Sequence, residues 1–209
     1  MNALGFDLIT PMVSWGTGGN SIVPTMTVPT WSAIVGLMGA ALGIARDDAA
    51  LTGLANDYAL AVRVDQRGVT NADYHTVQSP SASQARAIRP RSRAQELDYI
   101  DDLNTTITRR EYVHDAKYRM FVVQVAPSPA IALTALIDAL RAPVYPLYAG
   151  RRSCIIGRLD AKLVTREEVQ TASHWDQRIA LDKPFAMVTE RRDLLVGSRA
   201  FGIRHECVA

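Results

Sequence analysis

The pattern of apolar and polar positions in the first third of the chain predicts a strand, two helices and a second strand. Residues 4–9 are mainly apolar and have the length of a strand, and residues 60–64 alternate in the way of another. Thr30 is placed to cap a helix, and a shorter helix is expected around residues 48–56. Apolar side chains recur along the first helix with the spacing of one buried face: Ile34, Leu37, Met38 and Ala41.

The pattern after residue 117 predicts the same order of elements again. Residues 118–125 are the clearest strand, because they are rich in valine and aromatic residues. Pro129 is placed to open a helix with one apolar face. Residues 154–156 are expected to supply a fourth strand. Strand, helix and strand, followed by strand, helix and strand, is the order of a ferredoxin-like sheet, so we predict the α+β class.

Two parts of the chain lie outside this order. Between residues 76 and 109 no hydrophobic period is sustained, and Pro80 and Pro90 interrupt the segment. A segment of this length is unusual as a loop in a compact domain, so it is either disordered or a functional excursion. Residues 158–209 are expected to form a small C-terminal region with two strands, at 185–189 and 200–208.

The composition of the 209 residues is that of an ordinary globular protein, with 48% hydrophobic and 21% charged residues. Cys154 and Cys207 are too few for a disulfide framework or for a zinc site built from two cysteine pairs. The N-terminus has no basic segment followed by an apolar run, so we expect a cytosolic protein without a signal peptide. Residues 8–45 carry no charge, but their apolar part, 31–44, is shorter than the ~20 residues of a membrane span, which favours a buried helix.

The charge is small in total but unevenly distributed. A net charge of +2, from 23 basic and 21 acidic residues, argues against a protein that coats nucleic acid by bulk charge. Residues 73–95 nevertheless carry four arginines against a single acid, and residues 151–170 also have a basic excess. The four arginines are Arg86, Arg89, Arg91 and Arg93. They form either a solvated, mobile loop or a basic arm that clamps a phosphate backbone. The acidic residues at 96–102 would repel RNA and suit a solvated helix or a surface that faces protein.

Three short blocks combine residue types that make chemical sense together. Trp15 and Gly16 place an indole beside a glycine-rich turn, which suits stacking and close approach of a backbone. Residues 73–77 contain an aromatic ring, an imidazole and a hydroxyl. Residues 145–154 bring tyrosines, a glycine turn and two adjacent arginines to the start of a predicted strand. Arginine is suited to phosphate because its planar fork donates two parallel hydrogen bonds.

With these blocks, the chain resembles the Cas-five family of the RAMP superfamily, whose members are subunits of type I CRISPR surveillance complexes. Within that family it resembles the subunit of the type I-E complex, Cascade. Seven blocks follow in order across residues 11–154, and the strongest is Gly-Arg-Arg-Ser-Cys at 150–154. The others include Val-Arg-Val-Asp at 62–65 and Arg-Glu-Tyr-Val-His-Asp-Ala at 110–116. Beyond Cys154 the likeness is loose.

The resemblance implies a ferredoxin-like, RRM-like domain over residues 1–157, with a protruding thumb hairpin at 76–109 and a small β-rich region at 158–209. Such a subunit caps and holds the repeat-derived 5′ handle of the CRISPR RNA. It also contacts the adjacent backbone subunit and the large subunit that reads the PAM. Target DNA is then met only through the complex, in the cytoplasm, with no membrane and no cofactor or metal.

The resemblance also implies a set of RNA-binding residues. Arg110 matches a position at the base of the thumb that faces RNA, and Trp15 and Gly16 match the turn after the first strand. Tyr148, Arg151, Arg152 and Ser153 match the turn near the handle. Tyr74 and His75 lie in the second block, and the thumb arginines Arg86, Arg89, Arg91 and Arg93 are assigned to RNA or partner binding.

Two other functions stay open. Some type I-C relatives cleave the CRISPR RNA precursor, and metal-independent cleavage needs a general base, an acid and a cation. His75 and His114 could supply the first two if they flank the thumb, with Arg110 nearby. The Tyr, Lys, His grouping of the catalytic relatives is absent, so we expect a non-catalytic protein. A generic RRM-like domain that binds other RNA is the remaining alternative.

Overall fold

The computed structural model describes residues 1–16, 22–98, 103–157, 159–194 and 201–209. The strands are β1 (Ala3–Ile9), β2 (Met12–Val13), β3 (Trp15–Gly16), β4 (Ile22–Val23), β5 (Thr25–Met26), β6 (Tyr58–Gln66), β7 (Val69–Pro80), β8 (Leu103–His114), β9 (Lys117–Gln124), β10 (Lys162–Val164), β11 (His174–Asp176), β12 (Met187–Leu194) and β13 (Phe201–Val208). The helices are α1 (Trp31–Leu42), α2 (Ala49–Asp57), α3 (Ala82–Ile88), α4 (Arg93–Leu97), α5 (Leu133–Arg141) and α6 (Arg166–Gln170).

A seven-stranded antiparallel sheet forms the centre of the protein, in the order β10-β1-β9-β6-β11-β13-β12. Helices α1, α2 and α5 cover one face of it and enclose the larger hydrophobic core. A smaller core on the other face contains Phe121, Val169 of α6 and Trp175. The predicted mixture of helices with an antiparallel sheet is therefore confirmed.

The central strand β9 is buried on both faces. Tyr118, Met120 and Val122 point into the core beneath the helices, and Phe121 and Val123 point into the smaller core. Because successive side chains of a strand alternate between faces, an unbroken apolar run is required here. This is the reason that the strand is so clear in the sequence.

Helix α1 follows the predicted periodicity and ends where a glycine permits it. Gly43 closes the helix in the left-handed conformation, with φ of 77°. A β-carbon on Gly39 would come within 2.4 Å of Leu51 Cδ2, so this position lets α1 and α2 pack closely. In the described part of the chain, no helix is both long enough and apolar enough to span a membrane.

The positions predicted for one helix and one strand are wrong. The helix expected at Pro129 begins four residues later, at Leu133, after Ala132 as N-cap. The fourth strand of the sheet is Lys162–Val164, whereas residues 154–156 make only an isolated bridge between Ile155 and Tyr148. The true strand lies at the edge of the sheet with Leu163 60% exposed, so it lacks the apolar run that made residues 154–156 look like a strand.

Strands β7 and β8 form a long hairpin, paired from Val69↔His114 to Pro80↔Leu103. Twelve residues per strand extend roughly 40 Å, and α3 and α4 lie between the two strands in the chain. The hairpin therefore starts seven residues before the expected excursion and is regular rather than aperiodic. Its pattern was hidden because β7 is largely exposed on both faces, so no hydrophobic alternation is needed.

The hairpin continues the central strand pair. Strands β6 and β9 pair as far as Gln66↔Lys117, and β7 and β8 resume at Val69↔His114. The junction is tight: Gly68 has φ of 73°, and a β-carbon there would lie 2.3 Å from the His114 carbonyl oxygen. Gln66 Nε2 also donates to the Asp115 carbonyl at 2.6 Å.

A buried ion network attaches the C-terminal strands to the rest of the sheet. Asp176 and Glu206 lie opposite each other in β11 and β13 and are 2% and 3% exposed. Arg178 donates from Nε to Asp176 at 3.0 Å and from Nη2 to the Tyr58 carbonyl at 3.0 Å. Arg204 lies near both carboxylates. Strands β10 and β11, which follow residue 158, pair directly with β1 and β6, and the division at 157 stays a prediction.

Replacing Asp176 by asparagine should lower the free energy of unfolding by about 2 kcal/mol, because a buried charge that accepts bonds from Arg178 is lost. Urea denaturation measures the change. Asp182→Asn is the matched control: its carboxylate is 72% exposed and pairs with Arg166, so less than about 0.5 kcal/mol should be lost. Equal losses in the two variants would contradict a special role for burial in this network.

Candidate nucleic-acid interface

The turn at residues 150–153 is held against the segment that follows β1. Ser14 N donates to the Ala149 carbonyl at 3.0 Å, and Cys154 N closes the turn on the Arg151 carbonyl at 2.9 Å. Gly150 has φ of 93°, and a β-carbon there would lie 1.8 Å from the Ser14 carbonyl oxygen. Only glycine fits this position, which explains the glycine before the two arginines.

Arg151 is fixed by two contacts that the fold supplies. Its Nε donates to Ser14 Oγ at 3.2 Å, and Ser14 Oγ in turn donates to the Glu111 carbonyl at 3.2 Å. Its guanidinium carbon lies 5.5 Å from the centroid of the Tyr112 ring. Neither contact uses the two terminal nitrogens, which are the atoms that bind a phosphate in a forked arrangement.

The rest of the turn is open to solvent. Arg152 and Ser153 are exposed, and Tyr148 is half-buried opposite Ile155. Cys154 is buried beneath the turn, and burial raises the pKa of its thiol although Arg151 and hydrogen bonds act in the other direction. A protonated, buried thiol is a packing group rather than a nucleophile.

The base of the hairpin presents two different faces. Asp73, His75, Arg110 and Tyr112 share one face, because directly paired residues and their second neighbours point the same way. His75 Nε2 lies 2.8 Å from Asp73 Oδ2, and Arg110 Nε donates to Thr108 Oγ1 at 3.1 Å. Tyr74 points to the opposite face and is 70% exposed. The structure therefore brings His75 and Arg110 to one face and separates Tyr74 from them.

Trp15 does not present its ring to a ligand. Its side chain is 1% exposed and packs edge-on against Tyr118, with the ring centroids 6.2 Å apart. The expectation that this indole stacks on a base is therefore wrong, because the ring fills the core beneath α1. Gly16 is exposed at the end of β3, and the glycine-rich residues after it, 17–21, lie outside the described residues.

The four arginines of the predicted arm lie at the far end of the hairpin. Arg86 and Arg89 are exposed at the end of α3, and Arg91 is exposed just before α4. Arg93 instead pairs with Glu96 at 2.5 Å and donates to the Gln78 carbonyl, so it attaches α4 to β7. Pro80, where β7 ends, lies about 17 Å along the strand from His75. These arginines and the turn at 150–153 are therefore separate basic regions. Of the acidic strip, residues 99–102 lie outside the described residues.

The structure does not bring the two candidate catalytic histidines together. His75 is opposite Thr108 in the hairpin, and His114 lies six residues farther along the same strand, about 20 Å away. That distance is too large for both to act on one phosphodiester bond. Among the described residues, no group of three or more His, Cys, Asp or Glu side chains is arranged to hold a metal ion.

Sequence reasoning missed Ser14, Glu111 and Tyr112, whose contacts hold Arg151 in place. All three lie inside or beside blocks that were singled out for other residues. Tyr112 is 5% exposed and looks like an ordinary core aromatic in the sequence. Its contact with Arg151 joins segments 39 residues apart, so only the fold reveals it.

Replacing Gly150 by alanine should lower the free energy of unfolding by at least about 2 kcal/mol, because a β-carbon would collide with the Ser14 backbone in a left-handed conformation. Thermal and urea unfolding measure the change. Gly157→Ala is the matched control, since no atom lies within 4 Å of its β-carbon, and it should stay within about 0.5 kcal/mol. A neutral Gly150→Ala variant would contradict the close packing of this turn.

Comparison with known proteins identifies the family. Residues 3–196 match the family described as CRISPR-associated protein (Cas_Cas5). The chain is 35% identical over 156 residues to the CRISPR system Cascade subunit CasD of Escherichia coli (strain K12), which covers 69% of this chain and 62% of that relative's length. It also shares its fold with a chain of a CRISPR RNA-guided surveillance complex, with a TM-score of 0.70, 24% identity, and coverage of 100% of this chain and 89% of the other. The chain therefore belongs to the CRISPR-associated Cas_Cas5 family.

Proposed function

We propose that the protein is a non-catalytic subunit of a type I CRISPR surveillance complex of the Cascade kind, and that it binds and caps the 5′ handle of CRISPR RNA. The observation that carries this proposal is Arg151, held by Ser14 and Tyr112 with its terminal nitrogens unused by either contact, in a chain of this family. The Cascade subunit among its relatives supports the assignment to such a complex.

The strand order supports a ferredoxin-like core with a thumb. In chain order, β1, β6, β9 and β10 are the first to fourth strands of the predicted unit, and their order in the sheet is four, one, three, two. We take β7 and β8 with the intervening helices as the thumb, residues 1–157 as the domain that carries it, and 158–209 as its C-terminal extension. The same hairpin would then project from the complex toward RNA and neighbouring subunits.

In this proposal, the turn grips phosphate and the hairpin base holds the adjacent nucleotides. Arg151 and Arg152 donate to phosphate oxygens, assisted by the Ser153 hydroxyl, Tyr148 lies beside them, and Arg110 faces the same strand of RNA. Exposed Gly16 allows the RNA backbone to approach the neighbouring strand end. Single-stranded RNA is suited to such a site, because its unstacked bases can be contacted while arginines hold the phosphates.

The remaining exposed groups of the hairpin are assigned to bases and partners. The Tyr74 ring, on the opposite face from Arg110, offers a stacking surface for a splayed base. Arg86, Arg89 and Arg91 at the far end contact RNA or the adjacent backbone and large PAM-reading subunits, whereas Arg93 is engaged within the hairpin. Target DNA is met only through the assembled complex, in the bacterial cytosol.

Changing both Arg151 and Arg152 to alanine should weaken retention of CRISPR RNA and reduce its salt dependence. Each phosphate contact with a single strand contributes about 0.7 to the slope of log K against log salt, so the slope should fall by about 1.4. Binding of labelled repeat RNA between 50 and 300 mM salt, at roughly five concentrations, measures both quantities. Copurification of CRISPR RNA with the coexpressed complex provides the second readout.

The control for this pair is Arg141→Ala with Arg166→Ala, which removes two arginines that lie in α5 and α6 and pair with acids. It should leave the affinity and the slope unchanged. An unchanged slope in the Arg151 and Arg152 variant would remove the turn from the RNA site. Site-specific cleavage of the repeat RNA by the wild-type protein without metal would overturn the non-catalytic assignment.

Changing Tyr74 to alanine should weaken RNA binding about tenfold, while Tyr74→Phe should bind as the wild type does, because stacking requires the ring and not the hydroxyl. Equilibrium binding of the same labelled RNA measures the difference. Ile107→Ala, which removes an exposed apolar side chain from the same face of the hairpin, is the control and should change the affinity less than twofold. Equal losses in Tyr74→Phe and Tyr74→Ala would contradict stacking.

A further inference from the structure

A layered contact connects the turn at 150–153 to the base of the hairpin. The Tyr112 ring contacts the Arg151 guanidinium, whose central carbon is 5.5 Å from the ring centroid. The same ring lies against His75, with centroids 6.5 Å apart and planes inclined at 32°. Tyr112 is therefore the link between an arginine of one segment and a histidine of another.

His75 is also held through its Nε2 atom. Its Nε2 lies 2.8 Å from Asp73 Oδ2 and 3.4 Å from the Tyr112 hydroxyl oxygen. A proton on Nε2 is donated to the nearer and stronger acceptor, the carboxylate, so the hydroxyl receives at most a minor share. The packing of the two rings, rather than this longer contact, then connects His75 to Tyr112.

We propose that Tyr112, His75 and Asp73 are positioning residues for Arg151, and that His75 acts through the arginine instead of binding RNA itself. This inference rests on the proposed function of the turn. It changes the assignment of His75, which the sequence places among the groups that touch RNA, and adds Tyr112 and Asp73, which the sequence does not single out for binding.

Positioning residues matter here because a free arginine side chain is flexible. A free arginine loses much rotamer freedom when it binds a phosphate, and a side chain that is already held in position loses less. Ser14 accepts a hydrogen bond from Nε, and the Tyr112 ring contacts the guanidinium. His75 in turn limits the movement of that ring and is itself held by the Asp73 carboxylate.

A double-mutant cycle on the full chain tests the proposal, with labelled repeat RNA as the probe. Tyr112→Leu should weaken binding about two- to fivefold, in the range of a cation–π contact, and should have no further effect when Arg151 is already alanine. His75→Gln should weaken binding about twofold. It should likewise have no further effect when Arg151 is already alanine. Tyr112→Phe should bind as the wild type does, because it keeps the ring.

Two comparisons separate positioning from a general effect on folding. Tyr58→Leu removes another buried tyrosine, whose hydroxyl donates to the Ile131 carbonyl, and should change stability without changing RNA affinity of the folded protein. Thermal unfolding of every variant shows which ones are folded under the binding conditions. If Tyr112→Leu does not fold, the double-mutant cycle of His75→Gln with Arg151→Ala still tests whether half-buried His75 acts through Arg151.

The possible results are distinct. Additive losses in the double variants, or a loss with Tyr112→Phe as large as that with Tyr112→Leu, would overturn positioning by the ring while leaving the RNA site intact. A loss with His75→Gln that persists when Arg151 is alanine would show that His75 binds RNA directly. If Arg151→Ala itself binds RNA normally, the proposed function of the turn fails, and the positioning role fails with it.

Discussion

One antiparallel strand pair runs from the centre of the protein to the far end of its hairpin. Its inner part, β6 with β9, is buried between two cores, and its outer part, β7 with β8, is largely exposed. The junction accommodates a register irregularity between Val64 and Gln66, a left-handed Gly68, and Asp115 with φ of 56°. Because the ladder resumes beyond this point, the register of the buried strands fixes which hairpin side chains share a face. The positions of His75 and Arg110 therefore depend on packing many residues away.

The same strand pair explains why some elements were predictable and others were not. β9 needs apolar side chains on both faces, so its sequence has the clearest signal of the chain. β7 has almost no such requirement, and its polar residues look like a loop although every residue is paired. The short edge strand β10 was missed because Leu163 is exposed, whereas Cys154 and Ile156 are apolar because they are buried in the core beside the turn. Burial of the side chains, rather than strand pairing, determines the hydrophobic pattern of the sequence.

The candidate site was predictable only in part, because contacts between distant segments leave no pattern in the sequence. Arg151 and Arg152 stand out because they lie in the block with the strongest family resemblance, and the fold gives the glycine of that block, Gly150, a steric requirement. Trp15 was misread because an aromatic beside glycine suits a binding surface as well as it suits a core. Ser14 and Tyr112 carry no signal of their own, since their importance comes from contacts with Arg151 across the fold.

The arginines of this chain divide into those used within the fold and those left at the surface. Arg178, Arg191 and Arg204 neutralise the buried carboxylates of Asp176 and Glu206, and Arg93 is used inside the hairpin. A net charge of +2 therefore says little about binding, because much of the positive charge has an internal partner. The exposed arginines include Arg152 of the turn beside the hairpin base, and Arg86, Arg89 and Arg91 at the hairpin's far end. Under the proposed function, small basic regions of this kind suit a short, defined piece of RNA rather than a long duplex.

The hairpin is also unevenly supported along its length. At its base, β2 and β4 pair with β8, and Tyr112 and Val113 enter the core. Beyond Arg109, the described part of β8 pairs with β7 alone, and an isolated two-stranded hairpin is only marginally stable in water. The capped helix α3 and the Arg93 contact with β7 add local support there. The face against which Arg151 packs is thus built on the strongly supported end of the hairpin, whereas the outer end has the least support from the rest of the fold.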